Sequence, residues 1–185
     1  ANLPRNDVYD KVTGSAIYTD DIQFGNKLLY ARAKRSPYPH ALIKKLDVSK
    51  AAAYPGVKAV VTGKDYPERV GLYLKDKSIF AIDRVRFVGE PVAAVAAVSD
   101  EIAMKAVELI EVEYEQLEAV FDAEFGASDK APLIHPDLGK YECVNFIFPK
   151  PGTNISNHFK IRHGSCDEAW KQCEYIVERT YKIPH

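Results

Sequence analysis

The strongest constraint on the fold is a change of apolar pattern between residues 91 and 115. Pro91 to Val98 has no polar face, which is typical of a central strand covered on both sides. Ser99 follows as a helix N-cap, and apolar residues then recur at helical spacing to about Leu109. Residues 110–115 alternate apolar side chains with glutamates, as a half-exposed strand does. Strand, helix and strand in this order predict a βαβ-like or split unit within an α+β domain.

The predicted helix has a charged first turn and one apolar face. Asp100 and Glu101 in the first turn complement the positive end of the helix dipole. The residues that share the predicted core face are Ile102, Ala103, Ala106, Val107 and Ile110. This face is expected to pack in the core of the domain.

The chain before the apolar strand is predicted to form short strands joined by turns. Alternation predicts strands over Lys27–Lys34 and Ala41–Asp47, with Pro37 and Pro39 between them. The other predicted elements are a short helix over Val48–Ala53 capped by Ser49, a buried strand over Val57–Thr62, a loop with a short hairpin over Gly63–Asp83 and a strand over Arg84–Phe87.

The composition changes after Phe125. Pro, Gly, Asn and Asp accumulate up to Asn157, which indicates a linker-like crossing rather than a core. A smaller unit is predicted beyond it, with a strand over Phe159–Arg162, a helix over Asp167–Gln172 and a strand over Tyr175–Ile183. The predicted organisation is a lead-in segment over residues 1–26, a main domain over 27–125, a linker over 126–157 and a smaller unit over 158–185.

Charge is unevenly distributed along the chain, although the formal net charge is −1. Between Lys27 and Arg86 there are 14 Lys/Arg against 5 Asp/Glu, a local balance of +9. Between Asp100 and Phe125 there are 9 Asp/Glu against 1 Lys, a local balance of −8. Such faces could meet each other, meet a partner or remain two solvated surfaces. The basic stretch lacks the aromatic interleaving and the motifs of nucleic-acid binding, so no nucleic-acid partner is predicted.

The sequence predicts a cytoplasmic protein without a membrane span. Its longest apolar run, Pro91–Val98, is far shorter than the roughly 20 residues that cross a bilayer, and its amino terminus lacks a signal-peptide core. The cysteines Cys143, Cys166 and Cys173 include no CxxC pair, which suits a reducing compartment. No initiator Met is present, which suggests a processed or excised fragment.

The histidines and cysteines do not form a metal-binding pattern. His158 and His163 straddle a predicted strand, which places them on opposite faces or at a turn. Cys166 begins a predicted helix, and Cys173 lies two helical turns further on. This spacing could place both on one face of the helix, and a structural pair of free thiols is the favoured interpretation. The five histidines, which are scattered along the sequence, are His40, His135, His158, His163 and His185.

The carboxylates do not form a catalytic pair either. Glu111, Glu113 and Glu115 share one exposed strand face, whereas a catalytic pair needs two environments that separate the two pKa values. Glu90 lies in a Gly-Glu-Pro turn, where a hydrogen bond to nearby backbone is favoured over catalysis. The sequence contains no GxGxxG or Walker loop and no GxSxG elbow. We therefore expect no catalytic, cofactor-binding or metal-ligating residue in this chain.

Four stretches carry a family resemblance in a fixed order along the chain. They are residues 5–20, the RSPYPHA sequence at 35–41, residues 87–97 with the alanines at 103 and 106 and the strand at 110–115, and residues 164–181. Together they resemble the molybdopterin-binding subunit of the xanthine dehydrogenase and aldehyde oxidase family. Residues 116–119 and 162–166 depart from the family's usual pattern without affecting the resemblance in fold.

The resemblance implies an α/β hammerhead domain over residues 27–125, with a mixed sheet around the strand–helix–strand core. This domain would be followed by the first strands of a molybdopterin-binding domain. The resemblance also implies a parent oxidoreductase that hydroxylates a carbon of an N-heterocycle or aldehyde with oxygen from water. That parent would carry a molybdopterin cofactor, with 2Fe–2S clusters and often FAD on other domains or subunits as partners. The family's pterin loops and catalytic glutamate lie beyond His185, so this chain alone is expected to be an inactive scaffold. A non-catalytic protein-interaction module is the alternative.

Overall fold

The computed structural model describes residues 3, 5–22, 24–181 and 183, and in these it contains two three-stranded sheets and a two-stranded hairpin. The strands are β1 (Tyr30–Arg35), β2 (Ala41–Asp47), β3 (Val57–Thr62), β4 (Arg69–Val70), β5 (Lys77–Ser78), β6 (Arg84–Val85), β7 (Pro91–Ala97) and β8 (Glu111–Gln116). The helices are α1 (Val8–Thr13), α2 (Ser49–Ala52), α3 (Asp100–Glu108), α4 (Ala123–Gly126) and α5 (Cys166–Gln172), with 3₁₀ turns at Thr19–Asp21, Gly25–Lys27 and Leu138–Lys140. The predicted α+β class is confirmed.

Strand β7 is the central strand of the first sheet, as its unbroken apolar sequence predicts. The strand order is β1-β7-β3, and both neighbours run antiparallel to β7. Ala93, Val95 and Ala97 on one face are fully buried, whereas Ala94 and Ala96 on the other face are half-buried. The central position is confirmed, but one face of the strand is covered more completely than the other.

Helix α3 covers the better buried face of β7. Ala93 and Val95 of β7 form one buried cluster with Ala106 of α3, Ile110 just after it and Ala51 of α2. These side chains are at most 2% exposed, so they have lost nearly all contact with water. Burial of a large aliphatic side chain contributes about 1.5–3 kcal/mol, which makes this cluster the main attachment of the helix to the sheet. The predicted core face of the helix is confirmed.

The start of α3 is fixed by its cap and by one ion pair. The Ser99 hydroxyl accepts a hydrogen bond from the backbone N–H of Ile102 at 3.3 Å, as predicted. The Arg32 guanidinium of β1 donates two hydrogen bonds to the Asp100 carboxylate, at 2.6 Å and 2.5 Å. These bonds from Arg32 hold the pKa of Asp100 below its usual range. The helix is therefore attached to β1 by charge and to β7 by packing.

The second sheet has the order β6-β2-β8, and both of its pairings are antiparallel. Its inner side contributes to a second buried cluster, formed by Ala41, Ala81, Val85 and Val92. Val92 belongs to β7 of the first sheet, and Val112 of β8 packs against both buried clusters. The two sheets therefore share one continuous core.

The strand–helix–strand unit connects these two sheets. The sequence predicted one mixed sheet, but β7 and β8 lie in different sheets and every pairing among the described strands is antiparallel. The reason is that β8 has one apolar and one charged face and therefore fits a sheet with one side in water. Both predicted interpretations, βαβ-like and split, are therefore wrong, because each requires the two strands to lie in one sheet.

Three predicted details are wrong. Strand β1 begins at Tyr30 rather than at Lys27, because Gly25–Lys27 forms a 3₁₀ turn. Ser49 does not cap α2; instead the Asp47 carboxylate accepts hydrogen bonds from the Ser49 N–H at 3.0 Å and from its hydroxyl at 2.6 Å. Strand β3 is a half-exposed edge strand rather than a buried one, since it has only one neighbour in the sheet.

The chain between α4 and α5 folds back onto the hairpin β4–β5. We refer to residues 127–158 as the crossing segment. The backbone N–H of Val144 donates to the Tyr73 carbonyl at 3.0 Å, and the N–H of Lys75 donates to the Glu142 carbonyl at 2.9 Å. Leu138 of the crossing segment is buried. The predicted loop with a short hairpin is confirmed, and the chain that crosses it packs against it.

Within its described residues, the last part of the chain forms helix α5 and no strand. The predicted helix over Asp167–Gln172 is confirmed, with one further residue at its start. The strands predicted over residues 159–162 and 175–183 are wrong for the residues that are described; Lys182 lies outside them. Extended chain needs a neighbouring strand to pair its backbone groups, and none lies beside these stretches in the described structure.

The shared core predicts that Ile110 has a large effect on stability. Ile110→Ala removes side-chain volume that is 2% exposed, so we expect the free energy of unfolding to fall by about 2–5 kcal/mol in urea titrations. Met104→Ala, at a position on α3 that is 51% exposed, is the matched control and should change stability by less than about 0.5 kcal/mol. Equal losses in the two variants would contradict the described packing of α3.

Candidate functional site

Glu90 is the most deeply buried carboxylate of those singled out in the sequence. It follows Gly89, whose φ of 90° allows the tight turn, and it is 6% exposed. Its carboxylate accepts a hydrogen bond from the backbone N–H of Arg86 at 2.5 Å. Burial raises the pKa of Glu90, and this bond acts in the opposite direction. The predicted hydrogen bond to nearby backbone is confirmed: Glu90 closes the turn that leads into β7.

The three glutamates of β8 lie on its exposed face and pair with lysines. Glu115 contacts Lys44 at 2.7 Å, Glu113 lies 3.8 Å from Lys45, and Glu111 pairs with Lys50. All six side chains are more than half exposed, so each pair adds little to stability. Of the possibilities that the charge pattern left open, the two charged stretches meet each other here. These glutamates do not have the distinct environments that a catalytic pair requires.

A cluster of arginines beside β6 fastens the crossing segment to the main domain. Arg84 donates to the Leu133 carbonyl at 3.4 Å through Nη1, and Arg86 donates to the Ile134 carbonyl at 3.1 Å through Nε. Arg84 and Arg86 are half-buried residues, and these two bonds go to main-chain oxygens. The sequence analysis missed this contact, because a carbonyl acceptor has no residue signature.

His135 lies inside this arginine cluster. Burial, followed by the charge of Arg86, lowers the pKa of His135 from 6.5 to about 4. Its Nδ1 lies 3.1 Å from the Tyr141 hydroxyl, and the Arg69 guanidinium lies 4.8 Å from the centre of the Tyr141 ring. A neutral imidazole surrounded by cations is a structural group rather than a proton donor near neutral pH.

His40 is buried in the same region and has one defined tautomer. Its Nδ1 lies 2.6 Å from the Glu118 carbonyl oxygen, which can only accept, so Nδ1 carries the proton. The unprotonated Nε2 then accepts from Arg84 at 3.5 Å. Both ring nitrogens are used, so His40 holds the end of β8 against the start of β2.

The other histidines and cysteines considered as metal ligands do not come together in the described structure. His158 and His163 are exposed, and the positive charge of Lys150 and Lys160 lowers the pKa of His158. His185 lies outside the described residues. The cysteines, which are all exposed and free, are Cys143, Cys166 and Cys173. Among residues 3–181, where described, no three His, Cys, Asp or Glu side chains converge as metal ligands would.

A cleft of about 520 Å³ lies between the hairpin β4–β5 and the crossing segment. Two ion pairs form part of its walls, Lys75 with Glu142 at 2.8 Å and Lys140 with Asp137 at 2.7 Å. The remaining lining residues are Glu68, Arg69 and Tyr141. Three cations and three anions line this space, so its balanced charge selects neither an anion nor a cation.

None of the helices in the described ranges is both long and apolar enough to cross a bilayer.

The pKa of His135 predicts a specific dependence of stability on pH. Between pH 6.5 and about 4 the unfolded chain binds a proton that the folded chain excludes, so the free energy of unfolding falls as the pH drops through this window. His135→Gln cannot take up this proton and should flatten the decline in urea titrations across that range. His163→Gln, at an exposed position outside the cluster, should keep the parent slope. An unchanged slope in the His135 variant would show that His135 is not the group responsible.

Comparison with known proteins relates the chain to one family. Residues 13–118 match the model for the aldehyde oxidase and xanthine dehydrogenase a/b hammerhead domain. The large molybdopterin subunit of nicotinate dehydrogenase from Eubacterium barkeri is 36% identical over 182 residues, which cover 97% of this chain and 39% of that relative. A probable xanthine dehydrogenase subunit from Bacillus subtilis (strain 168) is 37% identical over 182 residues, which cover 97% of this chain and 22% of that relative. The chain thus spans well under half the length of these curated relatives.

Solved structures give the same relationship. A Cu,Mo-CO dehydrogenase matches with a TM-score of 0.68 and 33% identity, over 73% of this chain and 18% of that one. The aldehyde oxidoreductase of Desulfovibrio gigas matches with a TM-score of 0.66 and 30% identity, over 72% of this chain and 16% of that one. The predicted hammerhead fold is confirmed. The chain belongs to the aldehyde oxidase and xanthine dehydrogenase family and contains its α/β hammerhead domain.

Proposed function

We propose that this chain is the amino-terminal part of the molybdopterin subunit of a molybdenum hydroxylase. The parent enzyme is an oxidoreductase that hydroxylates a carbon of an N-heterocycle or an aldehyde with oxygen derived from water. One observation carries the proposal. The similarity to the large molybdopterin subunit of nicotinate dehydrogenase extends over 97% of this chain. The hammerhead fold shared with an aldehyde oxidoreductase and a Cu,Mo-CO dehydrogenase supports the same class of enzyme.

The residues that the structure describes do not fit a molybdenum, pterin or iron–sulfur site. The chain's described His, Cys, Asp and Glu side chains do not converge in threes, and its three cysteines are exposed. The buried groups Glu90 and His40 already have hydrogen-bond partners within the fold. We therefore assign molybdopterin to other parts of the parent subunit, and no catalytic, cofactor-binding or metal-ligating residue to this chain.

The chain's own role is to position the domain that follows it. Arg84 and Arg86 donate hydrogen bonds to main-chain carbonyls of the crossing segment. The segment therefore leaves the main domain along a defined path. The proposed division is a lead-in segment over residues 1–26, the hammerhead domain over 27–125, a linker over 126–157 and the start of a molybdopterin-binding domain over 158–185. A fixed path through the linker sets where that last domain begins.

The partners of this chain are the remainder of the molybdopterin subunit and further domains or subunits that carry 2Fe–2S clusters and FAD. Both curated relatives are named as subunits, which supports an enzyme assembled from several chains. Electrons released by the hydroxylation leave through these redox groups, and the enzyme works in the cytoplasm. The alternative, an interaction module that uses its charged faces, loses support because the lysines of β2 and α2 pair with the glutamates of β8.

Isotope labelling of the complete parent subunit, assembled with its partner subunits, tests the proposed reaction. Nicotinate, hypoxanthine and an aldehyde are incubated separately, each with an artificial electron acceptor, in water enriched in heavy oxygen, and the products are analysed by mass spectrometry. We expect at least one hydroxylated product that carries the heavy oxygen, and molybdenum in the assembled enzyme by metal analysis. A complete subunit without molybdenum, or product oxygen derived from dioxygen, would overturn the proposed reaction.

The same measurements on the chain of 185 residues form the control. We expect it to bind no molybdenum and to hydroxylate none of the three substrates, because the donor groups in its described part do not converge. Stoichiometric molybdenum on this chain alone would contradict the assignment of the site to the rest of the subunit.

A further inference from the structure

An exposed group of apolar side chains lies where the hairpin β4–β5 meets the crossing segment. Tyr73 and Phe146 pack edge to face with ring centroids 5.7 Å apart, and Phe148 and Phe159 stack at 6.5 Å. Leu72 extends the group at the tip of the hairpin. These five side chains, hereafter the aromatic patch, are between 49% and 81% exposed. Monomeric proteins seldom expose large contiguous apolar patches, and aromatic side chains are enriched where proteins associate.

The aromatic patch is held in place by hydrogen bonds. The Phe148 N–H donates to the side-chain carbonyl of Asn157 at 2.9 Å, and the His158 N–H donates to the Phe148 carbonyl at 3.2 Å. On the hairpin side, Val144 bonds to the Tyr73 carbonyl at 3.0 Å. A cavity of about 300 Å³ opens between the hairpin and the crossing segment beside the patch. A surface that is already ordered costs little conformational entropy when a partner docks on it.

Basic residues lie on both sides of the aromatic patch. Lys77 lines the cavity on the hairpin side together with Asp76, and Lys150, Lys160 and Arg162 follow Phe148 or Phe159 within three residues along the chain. None of these four cations forms an ion pair within the described part of the chain. A surface that complements this arrangement is apolar at its centre and acidic at its rim.

We propose that the aromatic patch is the docking surface for the part of the parent subunit outside the matched region, through an apolar surface with an acidic rim. The inference rests on the proposed function. Phe159 of the patch begins a segment in which Ile161, Tyr175 and Tyr181 are all more than four-fifths exposed. Because the patch and this segment are continuous, one body that follows them along the chain can cover both. The curated relatives, of which the chain spans 39% and 22%, supply the polypeptide that this requires.

Hydroxyl-radical footprinting of the complete parent subunit tests the docking. The subunit is labelled alone, together with its partner subunits and after unfolding in urea, and oxidation of Tyr73, Phe146 and Phe148 is read by mass spectrometry. We expect these three side chains to be protected about tenfold or more in the isolated subunit relative to the unfolded one, as side chains buried in an interface core are.

Two other outcomes would overturn the proposal. Protection that arises only after the partner subunits are added would assign the aromatic patch to a contact between subunits. Reactivity close to that of the unfolded chain in every state would show that nothing covers the patch. Labelling requires neither molybdenum nor turnover, so this result can be distinguished from a failure of the proposed reaction.

Charge reversal tests the acidic rim. The double variant Lys150→Glu, Lys160→Glu should increase the labelling of Phe148 in the isolated subunit several-fold, because like charges would then face each other across the interface. Lys64→Glu, at an exposed position on another part of the surface, is the control and should leave the labelling unchanged. Equal labelling in the double variant and the control would contradict the acidic rim.

Discussion

The contact between helix α3 and strand β7 determines where most other elements of the hammerhead domain lie. Ala106 faces the same buried cluster as Ala93 and Val95, and short side chains allow the helix to lie close to the sheet. The helix is nine residues long, so its end fixes where Ile110 enters the core and where β8 begins. Strand β8 then pairs with β2, and Val112 joins the second sheet to the first. One packing contact thus connects the two sheets.

The second constraint is the attachment of the crossing segment. Half-buried arginines are costly unless their donors are satisfied, and Arg84 and Arg86 donate to main-chain carbonyls. His135 stays neutral among these cations because its protonation would add a further buried charge. This network explains why a stretch with the composition of a linker packs against the domain.

Periodicity in the sequence was enough to predict β7, α3 and β8, because each is decided by its own neighbours in the chain. The Ser99 cap and the turn at Glu90 were predictable for the same reason. Periodicity could not decide that β7 and β8 lie in separate sheets, since that depends on which strand each one meets. The arginine cluster was missed because Arg84 and Arg86 bond to carbonyls 49 and 48 residues away in the chain. The extended stretches around α5 were assigned as strands from alternation alone, which says nothing about whether a partner strand is present.

The use of carbonyls at Leu133 and Ile134 has a consequence for how the crossing segment can evolve. Every residue type offers the same acceptor, so substitution at these two positions leaves both hydrogen bonds available. An insertion or deletion between β6 and these positions would move the acceptors out of reach of Arg84 and Arg86. Mutation is therefore expected to alter the chemical character of this stretch freely while its length and path stay unchanged.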